Sequence, residues 1–333
     1  MAAGRVPANH RRAVANPLRP NPTGESTMAF RIPARRALQR TLVGVAVSTA
    51  LSSALALKVD MYAIGNWSGG DCAPGDVDSN RGSWPGMANA WYEWMGLMGH
   101  AKTGKFVDGN MTVRRFCDPS VNPACADFSW VDWPDAAIIA AHGWDDGDRW
   151  GALMRNAWNG ECGLRMGKAS GNTFVGDSNL KFLHASSCLS LNDNYFGNMR
   201  VAMKKVNAGS SKGLHVMTGF HGVMWITSSF NGDYADTAID GHVHGVAHAW
   251  VTNHYKTNQF SCEAWDPFNW FGTCQDQCPT AMTIGPSGGN ALNRLLNERY
   301  NNSAAFGPPS SRNFYAWMGY LGCDPVAQDA FNP

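Results

Sequence analysis

The stretch Asp135–Ala136–Ala137–Ile138–Ile139–Ala140–Ala141–His142–Gly143 decides the reading of this chain. An unbroken apolar run from Ala136 to Ala141 stops at a histidine and a glycine. A run this short, with no polar residue at alternate positions, predicts a strand covered on both faces, as in a parallel sheet. A second run, Leu180–Lys181–Phe182–Leu183–His184–Ala185–Ser186–Ser187–Cys188, stops at a cysteine. Chemistry in parallel sheets gathers outside the carboxyl ends of the strands, beside the point where strand order reverses. Neighbouring strands lie about 4.8 Å apart, so His142 and Cys188 at adjacent tips would form a base and a nucleophile.

Working outward, Lys58–Asn66 predicts a first strand and Met87–Met98 a helix, with Trp91, Trp94, Met95 and Met98 at helical spacing. Phe106–Phe116 reads as a second extended segment, and the Gly-, Asp- and Asn-rich stretch 144–179 as a hairpin or long loop. After the strand Leu180–Ala185 come a helix over Tyr195–Val206, a strand over Leu214–Phe220 and a helical stretch Ala235–Tyr255. Ala281–Ile284 predicts a last short strand, and Asn290–Tyr300 an amphipathic helix. Strands alternating with helices predict an α/β fold, a three-layer sandwich with a mainly parallel sheet and disulfide-braced loops. No internal repeat or linker divides 57–333, which reads as one domain.

The N-terminal part predicts export. From Met28, itself readable as the true start, come Arg31, Arg35, Arg36 and Arg40, then an apolar stretch to Ala54–Leu55–Ala56. A basic region, an apolar core and a small-x-small site form a secretory signal. Cleavage is expected near Ala56, so 1–56 is an extension plus signal. The apolar core is too short for a stable membrane span, and the expected location is secreted, periplasmic or cell-surface. A net charge of +1 with 16% charged residues offers no nucleic-acid surface. Nine cysteines suit an oxidising compartment. Setting Cys188 aside leaves Cys72, Cys117, Cys125, Cys162, Cys262, Cys274, Cys278 and Cys323 as disulfide candidates. Cys117–Cys125 closes a local loop, and the cluster Cys262, Cys274, Cys278 holds another bridge.

The chemistry follows from the pair. A thiol at its ordinary pKa is mostly protonated at neutral pH, and a neighbouring imidazole takes the proton. Gly143 lets the backbone approach a substrate carbonyl, and the N–H groups of Gly143 and Cys188 would serve as oxyanion donors. Asp135 sits at the far end of its strand and makes no third member.

The blocks AAIIAAHG (136–143) and LKFLHASSC (180–188) together resemble the caspase-like cysteine peptidases, and the element order over 57–333 is similar to theirs. The resemblance implies peptide-bond hydrolysis through an acyl-enzyme, with Cys188 as nucleophile and His142 as general base and acid. It implies a peptide or protein substrate and no cofactor. No residue here matches the specificity pockets of the named peptidases in that group, which leaves the preferred cleavage residue open.

Other constellations accompany the pair. Trp144, Asp145, Ser186 and His221 are candidate substrate contacts around the same rim. His244 and His248 stand four apart, a zinc-binding spacing on a helix, but the glutamate of the zinc-protease motif is absent and no metal is expected. Asp145, Asp146 and Asp148 suit a cation or a basic substrate residue. The 14 tryptophans keep a second class open, a catalytically inactive caspase-like protein binding protein or glycan at the cell surface.

Overall fold

A computed structural model describes residues 27–32, 56–72, 80–167, 171–203, 213–260 and 275–320. In chain order the elements are β1 (Thr27–Ile32), β2 (Lys58–Ala63), α1 (Trp84–Leu97), β3 (Ala101–Val107) and β4 (Ala136–Ala140). Next come β5 (Gly143–Asp145), β6 (Trp150–Trp158), β7 (Glu161–Met166), β8 (Phe182–Ser186), α2 (Phe196–Met203) and β9 (Val216–Phe220). The chain continues through α3 (Asn231–Val243), α4 (Val246–His254), β10 (Lys256–Phe260), β11 (Gln275–Gln277) and β12 (Pro279–Gly285). It closes with α5 (Gly288–Asn297), α6 (Ser303–Phe306) and β13 (Phe314–Tyr320).

The main sheet has eight strands in the order β1-β13-β12-β9-β8-β4-β2-β3. All neighbours pair parallel except at β12, which runs antiparallel to both β9 and β13. The predicted α/β class with a mainly parallel sheet therefore holds. Central strands β4, β8, β9 and β12 are buried at every position, which is why their sequences carry no alternation. On β13, Tyr315 and Trp317 meet Phe196 of α2, whereas Tyr320, of opposite parity, stacks on Tyr255 beyond α4. Strand alternation puts these contacts on opposite faces, so helices cover the sheet from both sides.

Several expected elements differ. The second strand is Ala101–Val107, not Phe106–Phe116. It is the edge strand beside β2 and mostly exposed, so Lys and Thr fill it and no apolar signal marks it. Two 3₁₀ turns occupy most of the remainder. The helix expected over 235–255 is two helices, broken at Gly245, whose φ is +104°. A side chain there would meet the Leu296 carbonyl at 3.2 Å as well as the strained backbone. The strand at 281–284 is not the last, because β13 follows it. The 144–179 stretch forms a three-stranded antiparallel sheet, β5-β6-β7. The outermost strand β1 lies inside the segment read as extension and signal, and contains Met28.

Cys117–Cys125 is bonded as expected, and Cys72–Cys162 ties the loop after β2 to β7. Cys278 is also disulfide-bonded. Cys262, Cys274 and Cys323 lie outside the described residues. Among the described residues, no helix is long and apolar enough to cross a membrane.

Candidate active site

Five parallel strands point their carboxyl ends the same way. Read by first appearance in the chain, strands β3-β2-β4-β8-β9 have the order 2-1-3-4-5, so the topological switch lies between β2 and β4. At that switch Ile64 N–H donates to the Ala140 carbonyl at 2.9 Å, carrying the β2–β4 pairing past the strand ends. The chain then places Trp67, fully buried, beside fully buried Trp84 at the start of α1. The half-buried His142 ring sits against both indoles, with centroids 4.6 Å from Trp67 and 5.0 Å from Trp84. The two indoles fix where the imidazole ring lies and how it is tilted.

Gly143 enters β5 opposite Ala152. Leu153 N–H donates to the His142 carbonyl at 2.9 Å, which makes Gly143 and Ala152 a non-hydrogen-bonded pair. The Gly143 N–H is therefore turned away from β6. Its α-carbon lies hard against the tip of β8. An added Cβ would fall 2.2 Å from Ser187 Oγ and 2.3 Å from the Cys188 carbonyl oxygen. Only glycine fits that approach, and the His–Gly and Ser–Cys blocks do meet in space.

The cysteine sits on a clamped turn. Ser190 Oγ reaches the carbonyls of Ala185 (3.0 Å) and Ser187 (2.8 Å) and accepts from Phe220 N–H at 2.9 Å. Leu189 holds a left-handed conformation with φ +56°, and its N–H donates to the Gly222 carbonyl at 2.9 Å. Branched apolar residues avoid that region, so the turn stores strain next to the cysteine. Cys188 is a free, half-buried thiol. Its sulfur accepts from Met224 N–H at 3.4 Å and faces the Met224 carbonyl at 3.8 Å. Burial pushes the thiol up, while the Met224 N–H, its own N–H and the Arg81 charge favour the thiolate. The first of these wins, so the resting sulfur holds its proton and needs a base to release it.

The remaining candidates divide. Ser186 is fully buried with its Oγ 2.5 Å from Tyr234 Oη, so it offers no surface to a substrate. His221 is buried and its Nδ1 accepts from Asp193 N–H at 3.2 Å, holding the loop after Cys188. Trp144 lies across Gly151 and Gly163 on the small sheet. Asp145 is exposed and caps Gly147 N–H at 2.7 Å. Asp146 pairs with Arg149 at 2.7 Å and lies 3.6 Å from Arg165, so its charge is met within its own sheet. Asp135 bonds Lys58 N–H (2.9 Å) and Lys181 Nζ (2.6 Å) at the opposite strand ends, as its position predicted.

His244 and His248 do not share a helix. His244 caps the end of α3 and His248 lies in α4, with ring centroids 5.7 Å apart. Among the described residues, carboxylate oxygens of Asp118, Asp127 and Asp177 converge within 4.8 Å of one another, a grouping that could hold a cation. These residues belong to the Cys117–Cys125 region and the loop before β8, not to the rim.

Sequence reasoning missed Trp67, Trp84, Arg81 and Met224. No local pattern marks these four, because the strand order and the packing of distant segments bring them to the tips.

The chain belongs to a family described as Domain of unknown function (DUF6345), whose model matches residues 85–317. No curated protein matches the chain.

Proposed function

We propose that this protein is an exported cysteine peptidase of caspase-like architecture, with Cys188 as nucleophile and His142 as general base. The observation that carries the proposal is the close approach of Gly143 to the Ser187 hydroxyl and the Cys188 carbonyl, at the tips of the adjacent parallel strands β4 and β8. It brings a base-bearing tip and a thiol-bearing tip onto one rim. In the reaction, His142 draws the proton from sulfur as sulfur attacks the peptide carbonyl. The developing oxyanion meets the N–H groups of Gly143 and Cys188. His142 then returns the proton to the leaving amine, and water releases the acyl group by the reverse path. Trp67 and Trp84 hold the imidazole through this cycle, and the strained Leu189 turn holds the sulfur. Disulfides in the described residues suit secretion.

One observation favours a second reading, a binding protein on the same scaffold that does no chemistry. Burial raises the Cys188 pKa, whereas a working thiol is often lowered. Peptide-library hydrolysis separates the two. The peptidase reading expects turnover in the wild type, labelling of Cys188 by iodoacetamide, and a loss of at least about 10⁴-fold in Cys188→Ala at unchanged melting temperature. An unreactive Cys188 with no turnover against any peptide pool would leave only the binding reading.

A further inference from the structure

The start of β2 carries an arrangement that the proposed chemistry does not use. Ala56 is exposed, whereas the next residue, Leu57, is 2% exposed. The Leu57 N–H donates to His100 Nδ1 at 3.1 Å, and the Leu57 carbonyl accepts from Ala101 N–H at 2.8 Å. His100 Nε2 lies 2.8 Å from His242 Nε2, and His242 Nδ1 lies 2.7 Å from the Ala238 carbonyl of α3. The hydrogens close without conflict. His242 must donate from Nδ1 to a carbonyl, so its Nε2 accepts from His100 Nε2–H. His100 Nδ1 is then left with a lone pair for the Leu57 nitrogen. Asp135, whose carboxylate holds Lys58 N–H at 2.9 Å, supplies negative charge beside this nitrogen and raises the proton affinity of His100.

The small-x-small site Ala54–Leu55–Ala56 ends at the same peptide bond where the chain passes from exposed to buried. We infer that the chain is cut between Ala56 and Leu57, which removes the outermost strand β1 and leaves β13 as the sheet edge, and that the new α-ammonium of Leu57 is seated on His100 Nδ1 next to Asp135. In the cut, an export peptidase adds water to the Ala56 carbonyl. The C–N bond breaks, Ala56 leaves as a carboxylate, and the Leu57 amine takes up the remaining proton. An ammonium donates where the amide N–H donated before, so the seat needs no rebuilding. The removed Ala56 leaves water for the other two hydrogens. The donor line from Leu57 through His100 and His242 to Ala238 then ties the processed terminus to α3. This inference rests on the export reading and is independent of the peptidase reading.

The test is to express the full chain in a secreting host and determine the N-terminus of the exported protein by sequencing and intact mass. Leu57 is expected. Any other start, or an uncut chain, overturns the processing. Reductive dimethylation by formaldehyde and cyanoborohydride then reads the seat. The Leu57 amine should label about tenfold slower in folded than in urea-unfolded protein. A variant starting at Ala56 moves its amine into solvent and should label at the unfolded rate. Equal labelling of the two starts would overturn the seat while leaving the cut intact. In His100→Leu the protection should vanish, and full protection in that variant would overturn the role of His100.

Discussion

His142 follows β4 and His184 lies within the adjacent parallel strand β8, and their surroundings could hardly differ more. His184 lies mid-strand in β8 opposite Ile138, fully buried. Its two ring nitrogens meet Thr218 Oγ1 at 2.7 Å and Tyr300 Oη at 2.8 Å, and its ring stacks on Trp250. Burial drives its pKa down to about 3, so it is a neutral, hydrogen-bonded part of the core. His142 lies just beyond the end of β4, half-buried, with its ring against two indoles and its backbone at the mouth of the sheet. The comparison teaches that position along the strand sets an imidazole's role. A ring inside the sheet can only be satisfied, whereas a ring beyond the last pairing can face a reactant.

The sharpest way to break this contrast is to remove each ring. His142→Ala should lower peptide turnover by about 10²–10⁴-fold, the usual reach of a general base, with little change in melting temperature. A His142→Ala protein with wild-type turnover would sink the assignment. His184→Ala should do the reverse at the level of folding. It takes one hydrogen-bond partner from each of the Thr218 and Tyr300 hydroxyls and opens a cavity, at a cost of about 3–5 kcal/mol in urea melts.

Acid sharpens the comparison next. His100, 9% exposed, has its pKa pushed down to about 4, first by burial and then by His242. A histidine held neutral in the fold binds its proton more readily once unfolded. Stability is therefore full above the ordinary value of about 6.5 and is lost as pH falls towards the folded value. His100 alone should cost about 3 kcal/mol by pH 4. The fall from His184 continues to about pH 3. Melting measured from pH 7 to pH 3.5 should show this slope, shallower in His184→Leu. The smallest effect tests the meeting of the tips. Gly143→Ala should lower stability by about 1–3 kcal/mol, because the Cβ would strike backbone at Cys188. Turnover should fall further than stability does. By contrast Gly232, in α3 with open space around it, should accept alanine at no loss.

Much of this molecule was legible in its residues. The apolar blocks at 136–141 and 180–185 read as buried parallel strands because burial on both faces removes alternation, and that signal is local. The His–Gly and Ser–Cys endings located the rim for the same reason. The edge strand Ala101–Val107 was hidden, since an exposed edge needs no apolar pattern. The break at Gly245 was hidden too, because glycine within a helical pattern carries no local mark of the Leu296 carbonyl that packs against it.

What the chain's order of residues determined by itself was the class of fold and the two apolar blocks that end in His–Gly and Ser–Cys, which follow from periodicity; that Cys188 is the free thiol was an expectation that the structure bears out. Only the tertiary structure decided which side chains surround those tips. Trp67, Trp84, Arg81 and Met224 reach His142 and Cys188 from separate parts of the chain. The same long-range packing buried Ser186 under Tyr234 and split His244 from His248. Contacts between distant segments are set by how strands stack and helices cross, and no local pattern of residues encodes them.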